Sequence, residues 1–176
     1  MTNPGTLSWQ AVVSDLVAPP VSAALDGWSR AAQVVAAPID PDLADTAEFC
    51  ARYSVAMEDA ANCVVIAGRR GEDIRYAACV VLATTRADVN GVVRRRLEAR
   101  KASFAPMAEA VELTGMEYGG ITPIGLPASW PVLVDRAVLD RGVVVIGSGL
   151  RRSKLALPSS VLAELPGAEI VDNLAS

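Results

Sequence analysis

The residues best suited to chemistry form two glycine-rich stretches, Gly119-Gly-Ile-Thr-Pro-Ile-Gly125 and Gly147-Ser-Gly149. The first belongs to a segment, Thr114 to Pro127, that holds four of the 13 glycines and two of the 11 prolines and cannot be regular structure. Glycine admits positive φ and close approach of another group, while Pro123 and Pro127 fix φ and push Thr122 and Leu126 toward extended geometry. The outcome is a stiff loop whose amide N–H groups are left to point at something. A packing turn is the simpler use of such a loop, but this one is longer than a turn requires, and shaped loops on rigid scaffolds tend to carry function.

Other chemistry is excluded by what is absent. There is no histidine, so Ser-His-Asp and Cys-His mechanisms and imidazole acid–base catalysis are unavailable. Cys50, Cys63 and Cys79 lie in apolar surroundings with no Cys-x-x-Cys spacing, which reads as buried reduced thiols and not as a zinc set. Carboxylates do not cluster at ligand spacing, so neither a metal nor another cofactor is expected. The net charge of -4 and pI near 4.9 argue against coating nucleic acid by bulk charge. Two local clusters, Arg94-Arg95-Arg96 with Arg100-Lys101 and Arg151-Arg152 with Lys154, are dense enough to meet phosphates, or serve as solvated faces.

The elements that must position these loops read as one domain of 176 residues, 52% hydrophobic with mean hydropathy +0.33. Every apolar run is shorter than the ~20 residues a bilayer span needs. The opening Met1-Thr-Asn-Pro-Gly lacks the features of a secretory leader, so a cytoplasmic location is expected. Residues 1–40 read as an N-terminal covering segment, with a short helix over Leu7–Val17, another over Val21–Trp28, and a strand at Gln33–Ala37. Residues 41–176 form the main unit. A helix follows Asp40, with Leu43, Ala47, Cys50 and Ala51 as its buried stripe. An antiparallel hairpin pairs Ala61–Ala67 with Ile74–Ala83, placing Cys63 and Cys79 on paired strands. Then come a helix over Val89–Ala99, a strand at Lys101–Phe104, and a helix over Ala105–Leu113 with Met107 and Val111 inward. Past the long loop lie strands at Pro131–Asp135 and Val143–Ile146, an edge strand at Lys154–Leu157, and a helix capped by Ser159 or Ser160. Helices and strands mix without a strict βαβ repeat, which favours an α+β fold with a mixed sheet.

Glu112-Leu-Thr-Gly, Gly119-Gly-Ile-Thr-Pro-Ile-Gly, Pro131-Val-Leu-Val-Asp135 and Gly147-Ser-Gly, in this order and at these spacings, resemble the YbaK/prolyl-tRNA synthetase-associated editing domains. The similarity spans roughly residues 42 to 172. The resemblance implies an α+β fold, mainly antiparallel and barrel-like with flanking helices, and hydrolysis of the ester joining a wrong amino acid to tRNA. It implies as partners the aminoacylated tRNA 3′ end and a possible aminoacyl-tRNA synthetase. An attacked ester becomes a tetrahedral oxyanion, which the amides of Gly119, Gly120 and Ile121, or those of Gly147 to Gly149, are suited to stabilise. No covalent nucleophile is needed, because the tRNA ribose hydroxyl can position or activate water.

One departure matters. Members of the family usually carry a lysine in the strand after the first helix, where this chain places Asn62, or Ala61 with a one-residue offset. Asn62 donates a hydrogen bond but brings no charge. Either another cation reaches the site, with Lys101 and Arg151 the candidates, or the chain hydrolyses a different acyl group or binds without hydrolysing. Thr122, Pro123, Gly147, Ser148 and Gly149 complete the expected substrate-binding set. Asp135 reads as a cap at a strand end. The first expectation is therefore a trans-editing deacylase; its rival is a non-catalytic binder of the aminoacyl-tRNA end or of a synthetase.

Overall fold

In a computed structural model that describes residues 3–176, the chain folds as two sheets with helices packed against them. Met1 and Thr2, the start of the expected covering segment, lie outside the described residues. In chain order the elements are β1 (Gln10–Ala11), α1 (Pro19–Asp26), β2 (Val35–Pro38), α2 (Thr46–Tyr53), β3 (Ala61–Arg70) and β4 (Asp73–Leu82). A π-helical turn (Val89–Val93) runs into α3 (Arg94–Arg96), followed by β5 (Lys101–Phe104) and α4 (Met107–Thr114). The chain closes with β6 (Val132–Asp135), α5 (Arg136–Leu139), β7 (Val143–Gly147), β8 (Ser153–Pro158) and β9 (Ala168–Val171).

One sheet has the order β1-β2-β8-β7 and is wholly antiparallel. The other, β5-β3-β4-β6-β9, is antiparallel through the hairpin and parallel where β6 joins β4 and β9 joins β6. The fold is thus mixed α+β as expected, but the barrel-like sheet is two sheets and not a closed barrel. They touch at a parallel bridge between Ala60 and Val145. The main core lies between them, with Val144, Ile146, Leu155 and Leu157 from one sheet against Val80, Leu82, Val132 and Val134 from the other. Period-two alternation then sends Val145, Lys154 and Ala156 to the opposite face, where α2 packs through Phe49 and Cys50.

The expected hairpin is present, with Cys63 opposite Val80 and Val64 opposite Cys79, and its strands run on to Arg70 and from Asp73, beyond the expected bounds. Several local expectations are corrected. Leu7–Val17 forms β1 and a single 3-10 turn, Ser14–Leu16, because pairing with β2 outweighs helix propensity. Pro19 and Pro20 form the first turn of α1, ahead of the expected start at Val21, since a missing N–H costs nothing in a first turn. The buried stripe of α2 is Phe49 and Cys50, with Ala47 and Ala51 exposed. Met107 is 57% exposed, and Ala110 and Thr114 form the inner face of α4. The segment Lys154–Leu157 is no edge, because β2 from the first 40 residues pairs with it on one side and β7 on the other. The expected last helix is the 3-10 stretch Ser159–Glu164, and β9 follows it unforeseen.

The two glycine stretches meet backbone to backbone. The Gly149 amide donates to the Gly120 carbonyl (2.7 Å) and the Glu117 amide to the Gly149 carbonyl (2.8 Å). A Cβ at Gly147 would overlap the Gly120 carbonyl oxygen, and one at Gly120 would lie 2.6 Å from the backbone of Leu150. Gly147→Ala is therefore expected to force these turns apart. Chemical denaturation should show a loss of about 1–3 kcal/mol, the usual cost of overpacking, whereas Gly142→Ala, where a Cβ meets open space, should change little.

Candidate functional site

A pocket of about 300 Å³ opens where these turns face the start of α2 and the start of β3. Ala44, Asp45 and Thr46 form one wall, Ala61 to Val65 another, and Tyr118, Gly119, Ile121 and Gly147 a third. Phe104, at the end of β5, and Tyr118 stand at its rim, 61% and 51% exposed. Lys154 reaches it from β8. The N-terminus of α2 also adjoins it, adding the partial positive charge of unpaired helix amides.

Of the expected site residues, Asn62, Gly119, Ile121 and Gly147 come together here. Thr46 Oγ1 donates to Asn62 Oδ1 at 2.6 Å, which fixes the amide's orientation and leaves its Nδ2 hydrogens as donors. The three loop amides are not equivalent. That of Gly120 is consumed by the Glu117 carbonyl (3.0 Å), and that of Gly149 by Gly120. Those of Gly119 and Ile121 have no acceptor among the described residues.

The remaining candidates lie outside the pocket lining. Ser148 is fully buried, and its hydroxyl bonds Ser153 Oγ (2.7 Å) and accepts from the Leu150 amide (3.1 Å), so it shapes its own turn. Thr122 is buried behind the loop with its hydroxyl unpartnered, and Pro123 lines a separate apolar cavity beside Trp28. Lys101 is exposed on β5 opposite Arg69. Arg151 sits at the rim, where its backbone amide donates to Glu117 Oε2 (2.6 Å), its Nη2 to the Pro41 carbonyl (3.1 Å), and its Nη1 lies 3.8 Å from Asp45. Asp135 is buried at the start of α5, and burial raises its pKa against opposing backbone hydrogen bonds.

Two residues escaped the sequence reading. Thr46 carried no signal, being one hydroxyl in a helical first turn. The sequence groups Lys154 with Arg151 and Arg152 as a cluster for phosphates or a solvated face, yet it is only 7% exposed. Its Nζ donates to the Ala44 carbonyl (2.9 Å) and lies 5.1 Å from the centre of the Phe49 ring. Burial lowers its pKa to about 8, with Arg151 acting in the same direction and Cys50 and Asp45 opposing. The available signal was strand parity: with Leu155 and Leu157 inward, Lys154 had to face away from the main core.

Thiol chemistry finds no support in the pocket. Burial pushes the pKa of Cys63 up and raises that of Cys79 to about 12, so both remain protonated at neutral pH. Among the described residues no three His, Cys, Asp or Glu side chains gather as a metal set, and no helix is long and apolar enough to cross a membrane.

Comparison with solved structures finds a hypothetical protein, APE2540, 25% identical with TM-score 0.66, over 79% of this chain and 86% of that one. A candidate trans-editing enzyme for prolyl tRNA synthetase superposes with TM-score 0.74 at 20% identity, over 89% of this chain and 97% of that one, a likeness of fold. A scaffold used in computational epitope grafting gives the same TM-score, 0.74, at 21% identity, over 91% of this chain and 97% of that one. Comparison with curated proteins yields no match. Residues 40–165 match the family described as the aminoacyl-tRNA editing domain, from the turn before α2 to the end of the last 3-10 stretch, and the chain belongs to that family.

Proposed function

We propose that the protein is a trans-editing deacylase that hydrolyses the ester between a wrong amino acid and the 3′ end of a tRNA. The observation that carries this reading is the set of unused donors at one pocket: the amides of Gly119 and Ile121 and the Asn62 Nδ2 that Thr46 orients. Neutral donors fixed in advance suit a reaction in which negative charge appears on the acyl oxygen only at the transition state. Water is the nucleophile, helped by the adjacent ribose hydroxyl of the tRNA. This agrees with thiols held protonated and a Ser148 hydroxyl already engaged.

The rim supports a nucleic-acid substrate. Phe104 and Tyr118 offer exposed aromatic faces to the unpaired bases at the tRNA end, and such stacking contributes about 1–3 kcal/mol per base. Lys101 and the neighbouring Arg69 and Arg100 lie at the far end of β5, placed for phosphates further along the strand. A synthetase that binds the same tRNA is the natural protein partner.

A second reading has its own observation. Asn62 is neutral where members of the family usually carry a lysine, so the protein would bind the aminoacyl end, or a synthetase, without turning it over.

Single-turnover hydrolysis of tRNAs mischarged with alanine, serine, threonine or cysteine separates the two. Accelerated release of at least one amino acid is expected; tight binding with none accelerated would establish the binding module. Asn62→Ala should slow the active substrate about 100-fold, the usual effect of removing one oxyanion donor. Thr46→Val should cost less, about tenfold, since it frees the amide without deleting it. Phe104→Ala is expected to weaken half-saturation about tenfold, in keeping with one lost stacking contact, while the bound-state rate stays near its original value.

A further inference from the structure

We infer that Lys154, reaching the pocket from β8, supplies the positive charge that meets the oxyanion as the ester is attacked. The inference rests on the deacylase reading and adds to it a residue on the opposite sheet from Asn62.

Lys154 is the one buried cationic side chain among the described residues. Its environment gives little structural reason for a charge. Among the described residues no carboxylate lies within ion-pair distance of it, and its Nζ has one carbonyl acceptor, Ala44, and the face of the Phe49 ring. One of three ammonium hydrogens is thereby engaged, leaving donors that the protein does not satisfy. A buried charge so sparsely paired is costly, and an apolar side chain of similar length would fill the space under α2 at lower cost. The pocket it lines holds the unused amides of Gly119 and Ile121, so an anion formed there meets donors from three directions.

The chemistry balances without any further reagent. A water oxygen bonds to the acyl carbon, the carbonyl π pair moves onto its oxygen, and Lys154 and the amides stabilise that charge. Collapse re-forms the carbonyl and breaks the bond to the ribose oxygen. That oxygen takes up the proton released by water, leaving a free amino acid and an intact tRNA. Because the charge exists only after attack, Lys154 acts on the rate of the bound complex and not on ground-state affinity.

Lysine protonation provides an independent check. The groups facing Nζ are Asp45 before α2, Cys50 within it, and Arg151 in the turn before β8. With its pKa held near 8, the ammonium is mostly protonated at pH 7 and loses its proton as pH rises through that value. Acceleration over spontaneous hydrolysis should then fall between pH 7 and pH 9.

The test is single-turnover kinetics on whichever mischarged tRNA the wild type deacylates. It compares wild type, Lys154→Met, Lys154→Arg, and the double variant Asn62→Lys with Lys154→Met. Lys154→Met is expected to lower the bound-state rate about 100-fold with half-saturation nearly unchanged. Lys154→Arg should keep part of the rate and lose the fall above pH 7, and the double variant should recover at least about tenfold by restoring a cation from β3. A Lys154→Met rate within about threefold of wild type, a loss confined to half-saturation, or a double variant no faster than Lys154→Met would make the residue a tether for Ala44 and overturn the inference, while the deacylase reading stood. If Lys154→Met does not fold, the wild-type pH profile decides, because a flat ratio from pH 7 to pH 9 excludes an ammonium with this pKa. Wild type inactive on the whole panel would remove the deacylase reading, and the inference with it.

Discussion

Two turns lie against each other with only hydrogen atoms where side chains would be, the Gly149 amide resting 2.7 Å from the Gly120 carbonyl, and the geometry of the pocket depends on that approach. Gly120 and Gly147 lack the Cβ atoms that would hold the two backbones apart. Once the turns are locked, the amide of Gly120 is spent on Glu117, and the adjacent amides of Gly119 and Ile121 are left over beside the pocket. Gly119, at φ +87°, adopts a backbone that few other residues tolerate, with the Arg151 guanidinium stacked where a side chain would start. Arg151 then ties the turn to Pro41 and Asp45, so the wall carrying α2 is set by the same contact. Donors aimed in advance need no reorganisation when charge appears, which is why rigidity here bears on chemistry.

Against that rigid background stands a buried cation. Holding Lys154 near pKa 8 instead of 10.5 costs on the order of 3 kcal/mol of stability at neutral pH. The sign follows from proton counting. Between about pH 8 and 10.5 the unfolded chain binds a proton that the folded chain does not, so stability from this group rises with pH across that window and the penalty is complete below it. A large two-sheet core, with Leu155, Leu157, Val80 and Val134 fully buried, offsets such a term. The first 40 residues contribute directly, since β2 pairs Ala37 with Lys154 and α1 packs against the glycine turns through Ala18 and Val21.

The pocket is consistent in what it omits as well as in what it holds. Its thiol is kept protonated, the buried Ser148 beside Gly147 is occupied, and its carboxylate, Asp45, faces outward beside Arg151. On the proposed deacylase reading, such donors and a cation without a protein nucleophile would stabilise charge and leave water or the substrate itself to attack. Membership of the aminoacyl-tRNA editing family fits that division of labour.

Much of this was legible in the residues themselves. The hairpin followed from β-branched runs around a glycine-rich turn, and the stiff loop from glycine and proline at fixed offsets, because local sterics determine both. The linked glycine motifs pointed to the family for the same reason: a close backbone approach tolerates no substitute. What the sequence could not determine was partnership across the fold. Strand pairing made Lys154–Leu157 a central strand, overrode helix propensity in Leu7–Val17 and added β9, since each outcome depends on which distant edge is free to hydrogen bond. The same holds at the site. Sequence identified Asn62 as a neutral residue where a charge was expected and looked to Lys101 and Arg151 for its replacement. Only the tertiary structure brought Lys154 under α2 and Thr46 onto Asn62, because burial and hydrogen-bond partners belong to the packed chain and not to any one stretch of it.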